Sequence, residues 1–308
     1  MLFFRRGCIV KVLLTGASSS PGFKTLIELA SKGYTVYAQY NIHPIELHHA
    51  SATIVQLDLT QYDRVVEVFN SIKPDIVVHM AALGNVDQCE ADRELAWKVN
   101  VEATRLLAKL ASKHDAVMLY LSTDYVFDGE RGMYREEDKP NPINFYGHTK
   151  LIAEEIVKSL VEKYIIVRTS AIYGFGMGRT NFGKFLVEAL SRGQHVQAII
   201  DQRLSPTLNT LLAKAIVELL EKDVYGVFHI AGERVSRYDF AVKLAQRFGF
   251  DVKLIEPAKM ADFKWVAKRP RDSSLDCSRA RSILSTNFNS LDYSLDVLYS
   301  EWVAMKRS

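Results

Sequence analysis

The segment TGASSSPG, Thr15 to Gly22, is the feature that most restricts the fold of this chain. It follows a short apolar run, Val10 to Leu14, and precedes Phe23 to Lys32, where apolar residues recur at helical spacing until Gly33. A glycine-containing turn between a buried strand and a helix N-terminus is where a dinucleotide pyrophosphate meets free helix N–H groups. The segment therefore predicts the first βα unit of a dinucleotide-binding domain.

Alternation of short apolar runs with amphipathic segments continues through the first 120 residues. This rhythm is typical of βαβ units and a parallel sheet. The 308 residues also allow about two domains. We predict an α/β protein with a Rossmann-type doubly wound parallel sheet of about seven strands and a smaller, discontinuous C-terminal α/β substrate lobe. Strands are expected at 10–14, 35–39, 53–57, 76–80, 117–121, 164–168 and 227–230, and helices at 23–32, 64–72, 94–113, 150–162 and 181–192.

The rhythm breaks after Ser170, where a glycine-rich loop at 174–179 is followed by helices mixed with Pro and Arg clusters. We therefore expect residues 1–170 and 208–230 to form the NAD(P)-binding Rossmann domain. Residues 171–207 and 231–308 are expected to form the substrate-binding lobe. Residues 1–7 are interpreted as a short extension ahead of the first strand.

Charge and cysteine content exclude several classes of protein. The 39 Lys and Arg against 36 Asp and Glu give a net charge of +3, too small for a nucleic-acid footprint. Cys8, Cys89 and Cys277 are odd in number and contain no CxxC pair, so neither a disulfide framework nor a metal site is indicated. No uncharged apolar stretch approaches the roughly 18 residues that span a bilayer. We expect a cytoplasmic protein with no nucleic-acid or membrane partner, and a homodimer stays open.

The predicted phosphate loop departs from the usual glycine pattern at one position. Gly16 and Gly22 stand six apart, but Ser19 occupies the place of a middle glycine. Serine hydroxyls can donate to phosphate, whereas Pro21 has no N–H, although the first turn of a helix tolerates proline. A tight turn that binds nothing is the alternative. The predicted pyrophosphate contacts are Gly16, Ser18, Ser19, Ser20, Pro21 and Gly22.

The end of the second predicted strand reads YAQYN and bears on the choice of cofactor. A carboxylate there would hold the adenosine ribose 2′-hydroxyl and repel a 2′-phosphate. Neither Gln39 nor Tyr40 nor Asn41 is acidic, and no arginine stands beside them. NADP(H) is therefore favoured, NAD(H) stays open, and Tyr40 and Asn41 are expected to border the ribose.

Two further pairs of residues follow predicted strands at the cofactor edge. Asp58 and Leu59 close the third strand, where the Asp58 carboxylate can accept from the adenine amino group. Ala81 and Ala82, followed by Leu83, come after the fourth strand, where small side chains let the backbone approach the cofactor. Each feature alone equally fits an ordinary surface aspartate or packed alanines.

Tyr146 and Lys150, in YGHTK, are one helical turn apart and project from one face. They open the helix after the fifth strand, whose end STDYVFDG brings Thr123 to the carboxyl edge of the sheet, where open α/β folds bind ligands. A neighbouring ammonium lowers a tyrosine pKa from about 10 by stabilising the phenolate. We predict that Thr123, Tyr146 and Lys150 are catalytic and that Tyr146 and Lys150 also contact the cofactor. An exposed helical pair is the alternative.

Asn100 stands inside a predicted helix, where asparagine has low propensity. It is expected to bond backbone or water and is a candidate catalytic residue in a proton relay. The histidines carry no comparable signal. His48 and His49 are adjacent, and His79 and His229 lie in predicted strands, where hydrogen-bonded core residues are expected.

Together these residues resemble the extended short-chain dehydrogenase/reductases, whose order of motifs they follow from about residue 10 to residue 290. More narrowly, the chain resembles the dTDP-4-dehydrorhamnose reductases. The shared strings are STDYVFDG, REED at 135–138, the PNPINFYGHTK that follows it, DQRLSPT at 201–207 and RPRDSSLD at 269–276.

The resemblance implies hydride transfer from a nicotinamide to the C4 ketone of a deoxy-hexulose nucleotide. It assigns Tyr146 as the proton donor, Thr123 and Asp124 to the sugar, and Arg269 to the diphosphate, with Asn181 as a second candidate for that group. Three departures from the family pattern bear on the sugar and the cofactor loop: Ser19, Leu204 in place of a glycine, and Ala171 in place of a tryptophan.

A non-enzymatic family shares several of these strings. The regulatory β subunit of methionine adenosyltransferase, which binds NADP and a catalytic subunit, resembles the chain in DYVFDG, YREED and the C-terminal RPRDSSLDCS. A non-catalytic regulatory subunit is therefore the alternative function. Other nucleotide-sugar epimerases or dehydratases fit the REED and RPRDSSLD strings less well.

Overall fold

The computed structural model describes residues 9–46 and 52–307. The predicted extension at residues 1–7, together with Cys8, His48 and His49, lies outside the described residues. Strands in chain order are β1 (Lys11–Thr15), β2 (Thr35–Tyr40), β3 (Thr53–Gln56), β4 (Ile76–His79), β5 (Val117–Thr123), β6 (Tyr164–Thr169), β7 (Ile172–Tyr173), β8 (Val196–Ile199), β9 (Arg203–Leu204), β10 (Thr207–Leu208), β11 (Gly226–His229), β12 (Val235–Ser236) and β13 (Ile255–Ala258).

The α-helices are α1 (Ser20–Ser31), α2 (Tyr62–Ile72), α3 (Val86–Ala91), α4 (Arg93–Trp97), α5 (Ala103–Lys113), α6 (Phe145–Leu160), α7 (Phe182–Leu190), α8 (Asn209–Lys222), α9 (Arg237–Phe248), α10 (Ser278–Ile283) and α11 (Leu291–Arg307). A π-helical turn, Lys98–Glu102, joins α4 to α5. Short 3₁₀ turns lie at Asp124–Val126, Val252–Leu254 and Met260–Asp262. Among the described residues, no helix is both long and apolar enough to cross a bilayer.

Seven strands form one parallel sheet in the order β11-β6-β5-β4-β1-β2-β3. Helices cover both faces, so β4 and β5 are buried along their whole length and read as nearly continuous apolar runs. The order reverses between β1 and β4, and a crevice forms there at the carboxyl ends of the strands. The predicted Rossmann-type doubly wound sheet is confirmed.

All seven predicted strands form, with ends that differ from the prediction by one or two residues. Two differences concern candidate site residues. β3 ends at Gln56, so Asp58 and Leu59 lie in the following loop and not at the end of the strand. α6 begins at Phe145, five residues before the predicted start, because the side chain of Asn144 accepts the Gly147 N–H at 2.9 Å and caps the helix.

The remaining strands form three two-stranded pairs beside the large sheet: β7 with β10, β9 with β12, and β8 with β13. In the chain, α8 and β11 lie between β10 and β12. The helix α8 packs against α1, and β11 pairs with β6 of the large sheet. The helices α7 and α9 pack against each other and against β8. The division into two domains at the boundaries given above stays a prediction.

The two strand histidines are hydrogen-bonded core residues, as predicted. His79 is fully buried between the hydroxyls of Thr15, at 2.6 Å, and Thr104, at 2.9 Å. The Nδ1 of His229 lies 3.0 Å from the carbonyl oxygen of Tyr134. Burial lowers the pKa of both imidazoles to about 3, so both are neutral at physiological pH.

Candidate active site

A cavity of about 350 Å³ opens at the carboxyl edge of the sheet, between the ends of β4, β5 and β6 and the residues around β9. Many residues that sequence reasoning selected separately meet on its walls. Those that line the cavity are Ser19, Pro21, Ala82, Thr123, Asp124, Tyr146 and Lys150.

The loop between β1 and α1 has the close approaches that a phosphate loop requires. Gly16 has φ +69°, and a Cβ there would lie 2.7 Å from the backbone nitrogen of Ala81. A Cβ at Gly22 would lie 2.2 Å from the Gly16 carbonyl oxygen. The Ser19 hydroxyl, in the position of the missing glycine, accepts the Gly22 N–H at 3.1 Å and caps α1. Ser19 therefore lacks the conformational freedom of a glycine at this position, but its hydroxyl caps the helix.

Ser20 is the first residue of α1, and Pro21 follows it in the first turn, where no N–H is required. The Ser20 hydroxyl accepts a hydrogen bond from Asn209 Nδ2 at 2.9 Å. Asn209, at the start of α8, also donates to the Phe175 carbonyl at 2.9 Å. Asn209 thus ties the phosphate loop to the loop after β7, a role that no sequence motif indicated.

The adenosine end of the cleft is organised by a residue that sequence reasoning did not select. Gln39 is buried, accepts the Gly16 N–H at 2.8 Å and donates to the Leu57 carbonyl at 2.5 Å. Tyr40 ends β2, and Asn41 is exposed directly after it. Gln39 therefore holds the phosphate loop, and Tyr40 and Asn41 stay predicted ribose contacts.

The residues after β3 and β4 are fixed by local hydrogen bonds. Asp58 Oδ1 accepts both the N–H and the hydroxyl of Thr60, at 2.9 and 2.8 Å, and Leu59 is buried beside it. Ala81 is partly buried and Ala82 exposed on the cavity wall. The contacts of these four residues with the cofactor stay predictions.

Asn100 lies in the π-helical turn and is almost completely buried. Its amide oxygen accepts the Leu83 N–H at 2.8 Å, and its Nδ2 donates to the Leu83 carbonyl at 3.3 Å and to the Thr149 hydroxyl at 3.1 Å. The expected bond to backbone is present. Because both Nδ2 hydrogens already have protein acceptors, this geometry makes Asn100 a positioning residue for the loop after β4, and the proton relay stays a prediction.

Tyr146 lies on α6 with its ring edge against Tyr125, 6.1 Å between centroids. The expected lowering of its pKa is wrong for the chain alone. Burial raises the pKa of Tyr146 well above 10, the Thr123 hydroxyl opposes this only in part, and the negative charge of Asp124 adds to it. Tyr146 therefore holds its proton throughout the neutral range.

Lys150 is buried one turn further along α6. Its ammonium donates to the Leu121 carbonyl at 2.8 Å and lies 4.1 Å from the centre of the Tyr120 ring. Burial lowers the pKa of Lys150 to about 7, although the carboxylate of Glu154, on the next turn, raises it. Small changes of pH near 7 therefore change the fraction of Lys150 that carries a proton.

Asp124 gathers three hydroxyl donors at the base of the cavity. Oδ1 accepts from Thr123 at 3.0 Å, and Oδ2 accepts from Ser170 at 2.7 Å and Ser273 at 2.5 Å. Burial raises the pKa of this carboxyl, and the three hydroxyls oppose the rise. The carboxylate thus joins β5, the end of β6 and the C-terminal segment, and sequence reasoning missed Ser170 and Ser273.

Arg269 and Asn181, the two residues assigned to a diphosphate, both have partners in the protein. Arg269 Nη2 lies 2.8 Å from Asp87 Oδ2, and Nη1 donates to the Ala267 carbonyl at 3.1 Å. Asn181 caps α7 through the Lys184 N–H and exchanges two hydrogen bonds with the backbone of Gly174. Neither residue lines the 350 Å³ cavity, and their diphosphate contacts stay predictions.

The cavity also contains residues that stood out little or not at all in the sequence. Ala171 has φ +40°, an unusual conformation for a residue other than glycine, and with Leu204 it lines the wall. Gln202 and Arg237 line the same cavity, and Arg237 Nε donates to Gln202 Oε1 at 2.7 Å. Arg237 has no motif around it that would have singled it out.

The cleft has the features that a nicotinamide dinucleotide needs. Ser19 and Pro21, at the N-terminus of α1, line the cavity, where a pyrophosphate can meet free helix N–H groups. At the other end, the Thr169 hydroxyl is buried on the cavity wall with no hydrogen-bond partner among the described residues. Lys150 lines the same cavity, and a buried hydroxyl without a partner is satisfied if a polar group of a ligand binds there.

Comparison with known proteins gives a consistent picture. The family profile described as the RmlD substrate binding domain matches residues 10–302. Relatives include a probable low-salt glycan biosynthesis reductase of Haloferax volcanii, 34% identical over 92% of this chain and 96% of that protein. The dTDP-4-dehydrorhamnose reductase of Aggregatibacter actinomycetemcomitans is 32% identical, with coverage of 88% and 92%. The methionine adenosyltransferase 2 subunit beta of Bos taurus is 31% identical, with coverage of 89% and 82%.

Solved structures agree with these relatives. A hypothetical dTDP-4-dehydrorhamnose reductase of Sulfolobus tokodaii superposes with a TM-score of 0.83 at 39% identity, covering 94% of this chain and 98% of that chain. The dTDP-4-dehydrorhamnose reductase of Bacillus anthracis, in complex with NADP, superposes with a TM-score of 0.85 at 30% identity, with coverage of 96% and 100%.

Proposed function

Because the chain belongs to the RmlD substrate binding domain family, we propose that it is an NADP(H)-preferring reductase of the C4 ketone of a dTDP-linked deoxy-hexulose. The similarity to dTDP-4-dehydrorhamnose reductases over most of the chain supports this reaction, and the NADP complex of one of them supports the cofactor. NAD(H) stays a second cofactor to test. The observation that carries the proposal is the meeting of Thr123, Tyr146 and Lys150 on one cavity wall.

Tyr146, Lys150 and Thr123 have separate roles in the proposed reduction of the ketone. When bound, the reduced nicotinamide supplies a hydride to C4. Tyr146 donates its phenolic proton to the C4 oxygen, so that the ketone becomes an alcohol. Since burial raises the pKa of Tyr146, the proton is available at neutral pH. The Lys150 ammonium stabilises the phenolate that remains, and Thr123 holds the C4 oxygen in position.

Asp124 is suited to position both Thr123 and the sugar. A carboxylate has about four lone-pair sites, and three of them accept from Thr123, Ser170 and Ser273. We propose that the fourth accepts from a sugar hydroxyl. Ala171 and Leu204 leave small or apolar groups on the wall, and a panel of sugars is required to identify the one that fits.

We place this activity in the cytoplasm, since Cys89 and Cys277 are buried free thiols and the chain has no pattern of a disulfide framework. A homodimer is a further expectation. Size-exclusion chromatography with light scattering measures the oligomeric state directly.

The proposed reaction is tested by NADPH oxidation with a panel of 4-keto sugar nucleotides. Turnover of at least one of them by the wild-type chain, and its loss in Tyr146→Phe at unchanged NADPH affinity, is the expected result. Absence of turnover on every 4-keto sugar nucleotide, at full NADPH occupancy, contradicts the proposal.

The second candidate function is a non-catalytic regulatory subunit of methionine adenosyltransferase. The observation in its favour is the 31% identity to the bovine β subunit over 89% of this chain. It predicts NADPH binding without turnover and a stable complex with a methionine adenosyltransferase catalytic subunit. Mixing the two purified proteins and measuring the mass of the complex separates this candidate from the reductase.

A further inference from the structure

A buried ion pair, Glu154 and Arg168, lies outside the active-site cavity, and the proposed mechanism does not use it. The Arg168 and Glu154 side chains are 1% and 0% exposed, and Arg168 Nη2 lies 2.7 Å from Glu154 Oε2. Arg168 Nε lies 3.0 Å from the other carboxylate oxygen, Oε1. Apolar residues of similar size are often as stable in such a position as a buried ion pair. Stability alone therefore gives no reason for this pair.

Ser122 connects the ion pair to the end of β5. Its hydroxyl donates to Glu154 Oε1 at 2.5 Å. Arg168 is the partner of Ser122 in the register between β5 and β6. Because Glu154 lies on α6, its carboxylate joins this helix to both strands. Ser122 is thereby fixed in place between Leu121 and Thr123.

The residues on either side of Ser122 serve the catalytic site. The Leu121 carbonyl accepts from the Lys150 ammonium at 2.8 Å, and Thr123 lines the cavity. The helix α6 therefore meets the end of β5 at two points one turn apart, through Lys150 and through Glu154. Two contacts on neighbouring turns restrict the rotation of α6 against β5, and with it the position of the phenol that α6 carries.

Titratable side chains on four elements contact Lys150 or act on its charge. They are His79 on β4, Cys89 on α3, Tyr120 on β5, and Tyr146 and Glu154 on α6. Burial raises the pKa of the thiol to about 11 and those of both phenols above 10, and it lowers the pKa of the imidazole to about 3, so these four groups are neutral at pH 7. Of this set, the Glu154 carboxylate is therefore the charge that favours the ammonium.

We propose that Ser122, Glu154 and Arg168 form a positioning network that holds Lys150 and Thr123 in place for the reduction. Glu154 and Arg168 do not line the cavity, so they act through Ser122 and Lys150 and not by contact with a ligand. The role of the network in the reduction rests on the proposed function. Its hold on Lys150 is independent of the reaction.

Ser122→Ala removes the bond between β5 and the carboxylate. We expect kcat to fall about tenfold and KM for the sugar nucleotide to stay within twofold, because the displaced groups act in the transition state. Ser122→Thr keeps a hydroxyl and should recover at least half of the wild-type kcat. Ser294→Ala is the matched control, since the buried Ser294 hydroxyl donates to the Ser290 carbonyl at 2.7 Å and Ser294 does not line the cavity. It should keep kcat within twofold of wild type.

The double variant Glu154→Leu/Arg168→Met tests the network at residues that do not line the cavity. Replacing both partners leaves no unpaired buried charge, so we expect a folded protein with a Tm close to that of the wild type. Its kcat should nevertheless fall about 30-fold at unchanged KM. Wild-type kcat in this folded variant overturns the proposal, because the pair then serves stability alone. If it does not fold, Ser122→Ala and its recovery in Ser122→Thr decide.

The same kinetic series contains a second way to fail. A loss of kcat in Ser294→Ala equal to that in Ser122→Ala overturns the proposal, because the loss of any buried hydroxyl would then explain the effect.

Acetylation by acetic anhydride, followed by peptide mass spectrometry, reports on Lys150 without turnover, since only the neutral amine reacts. Glu154 raises the pKa of Lys150, so its removal in the double variant lowers that pKa. At pH 5.5 we expect Lys150 to react about fivefold faster than in the wild type, relative to the exposed Lys73 in each protein. An unchanged rate in the folded double variant contradicts the hold on Lys150.

The outcome is separable from that of the proposed function. If no 4-keto sugar nucleotide is reduced but Lys150 reacts faster in the double variant, the reductase proposal fails and the positioning of Lys150 stands. If sugar nucleotides are reduced and the double variant keeps the wild-type kcat and the wild-type reactivity of Lys150, the reductase proposal stands and the positioning network is wrong.

Discussion

Asp87 and Arg269 connect the segment after β4 to the C-terminal segment through an ion pair with Nη2 and Oδ2 2.8 Å apart. Asp87 lies on α3, after β4 of the large sheet, and Arg269 lies in the C-terminal segment. The other carboxylate oxygen accepts the N–H groups of Val266 and Ala267, at 3.1 and 3.0 Å. Burial raises the pKa of Asp87, but these N–H groups and Arg269 outweigh it and hold the pKa below its usual value. One carboxylate thus fixes the segment 266–269 against α3.

Replacing Asp87 with Asn should loosen this segment without touching the catalytic residues. We expect KM for the sugar nucleotide to rise about tenfold, kcat to stay within twofold, and hydrogen exchange of residues 266–269 to accelerate, since a charge-assisted contact is lost. Steady-state kinetics and hydrogen–deuterium exchange measure these effects. Glu67→Gln, which breaks the exposed Arg64–Glu67 pair on α2, is the control and should change none of them.

The pH dependence of stability gives Asp87 a second readout. Because the folded-state pKa is lowered, the carboxylate contributes stability above its unfolded value near 4, and this contribution is lost as pH falls through the folded value. Wild-type and Asp87→Asn should therefore differ in Tm at pH 7, and the difference should shrink as pH falls below about 4. A difference that is independent of pH would show that the carboxylate charge is not involved.

Tyr146→Phe removes the proposed proton donor and leaves the ring against Tyr125. We expect kcat to fall by about a thousandfold, the scale of general acid catalysis, with NADPH affinity within twofold of wild type. Tyr125→Phe is the matched control, since its ring packs beside Tyr146 on the same cavity wall, and it should retain most of the activity. Retained turnover in Tyr146→Phe would remove Tyr146 from the mechanism.

The sheet and the positions of Thr123, Tyr146 and Lys150 were predictable because both follow from local pattern. Apolar runs buried on both faces mark the strands, and a strand end followed by a helix start brings these three residues to one edge. Ser19 as a cap also follows from local chemistry, since serine is a preferred N-cap residue.

Other features depend on tertiary packing and had no sequence signal. Arg237 reaches the cavity only because α9 packs against β8, far along the chain from the catalytic residues. The pKa of Tyr146 was predicted with the wrong sign because a sequence shows the neighbouring lysine but not the burial that dominates. Similarly, the low helix propensity of asparagine marks Asn100 in the sequence, but its hydrogen bonds to Leu83 and Thr149 depend on tertiary packing.

We expect the buried Lys150 side chain to lower the stability of the folded state. Burial lowers its pKa from 10.5 to about 7, so the folded state disfavours the ammonium. This cost is absent above pH 10.5, grows as pH falls towards 7, and is constant below that. Lys150→Met should therefore raise Tm at pH 7 by about 4 °C or more and lose this gain near pH 10.5. Thermal unfolding at several pH values checks the trend, and a lower Tm at pH 7 contradicts it.

The same pKa predicts the pH dependence of catalysis. As pH rises through about 7, Lys150 loses its charge and can no longer stabilise the Tyr146 phenolate. We expect kcat/KM for ketone reduction to decline above that pH, while Tyr146 stays protonated. Rates from pH 5.5 to 9.5 measure this, and Lys150→Arg, whose charge does not titrate in this range, should flatten the profile at a lower rate. A wild-type profile that is flat to pH 9 would assign no role to the Lys150 charge.

Asn41, exposed after β2, offers a direct test of cofactor selection. An aspartate there would accept from the ribose hydroxyls of NADH and repel the 2′-phosphate of NADPH. We expect Asn41→Asp to weaken NADPH binding about tenfold while NADH affinity is unchanged or improved, as measured by nucleotide fluorescence titration. Asn41→Ser removes the amide without adding charge, and its preference should stay close to wild type. Equal weakening of both cofactors in Asn41→Asp would place Asn41 away from the 2′ position.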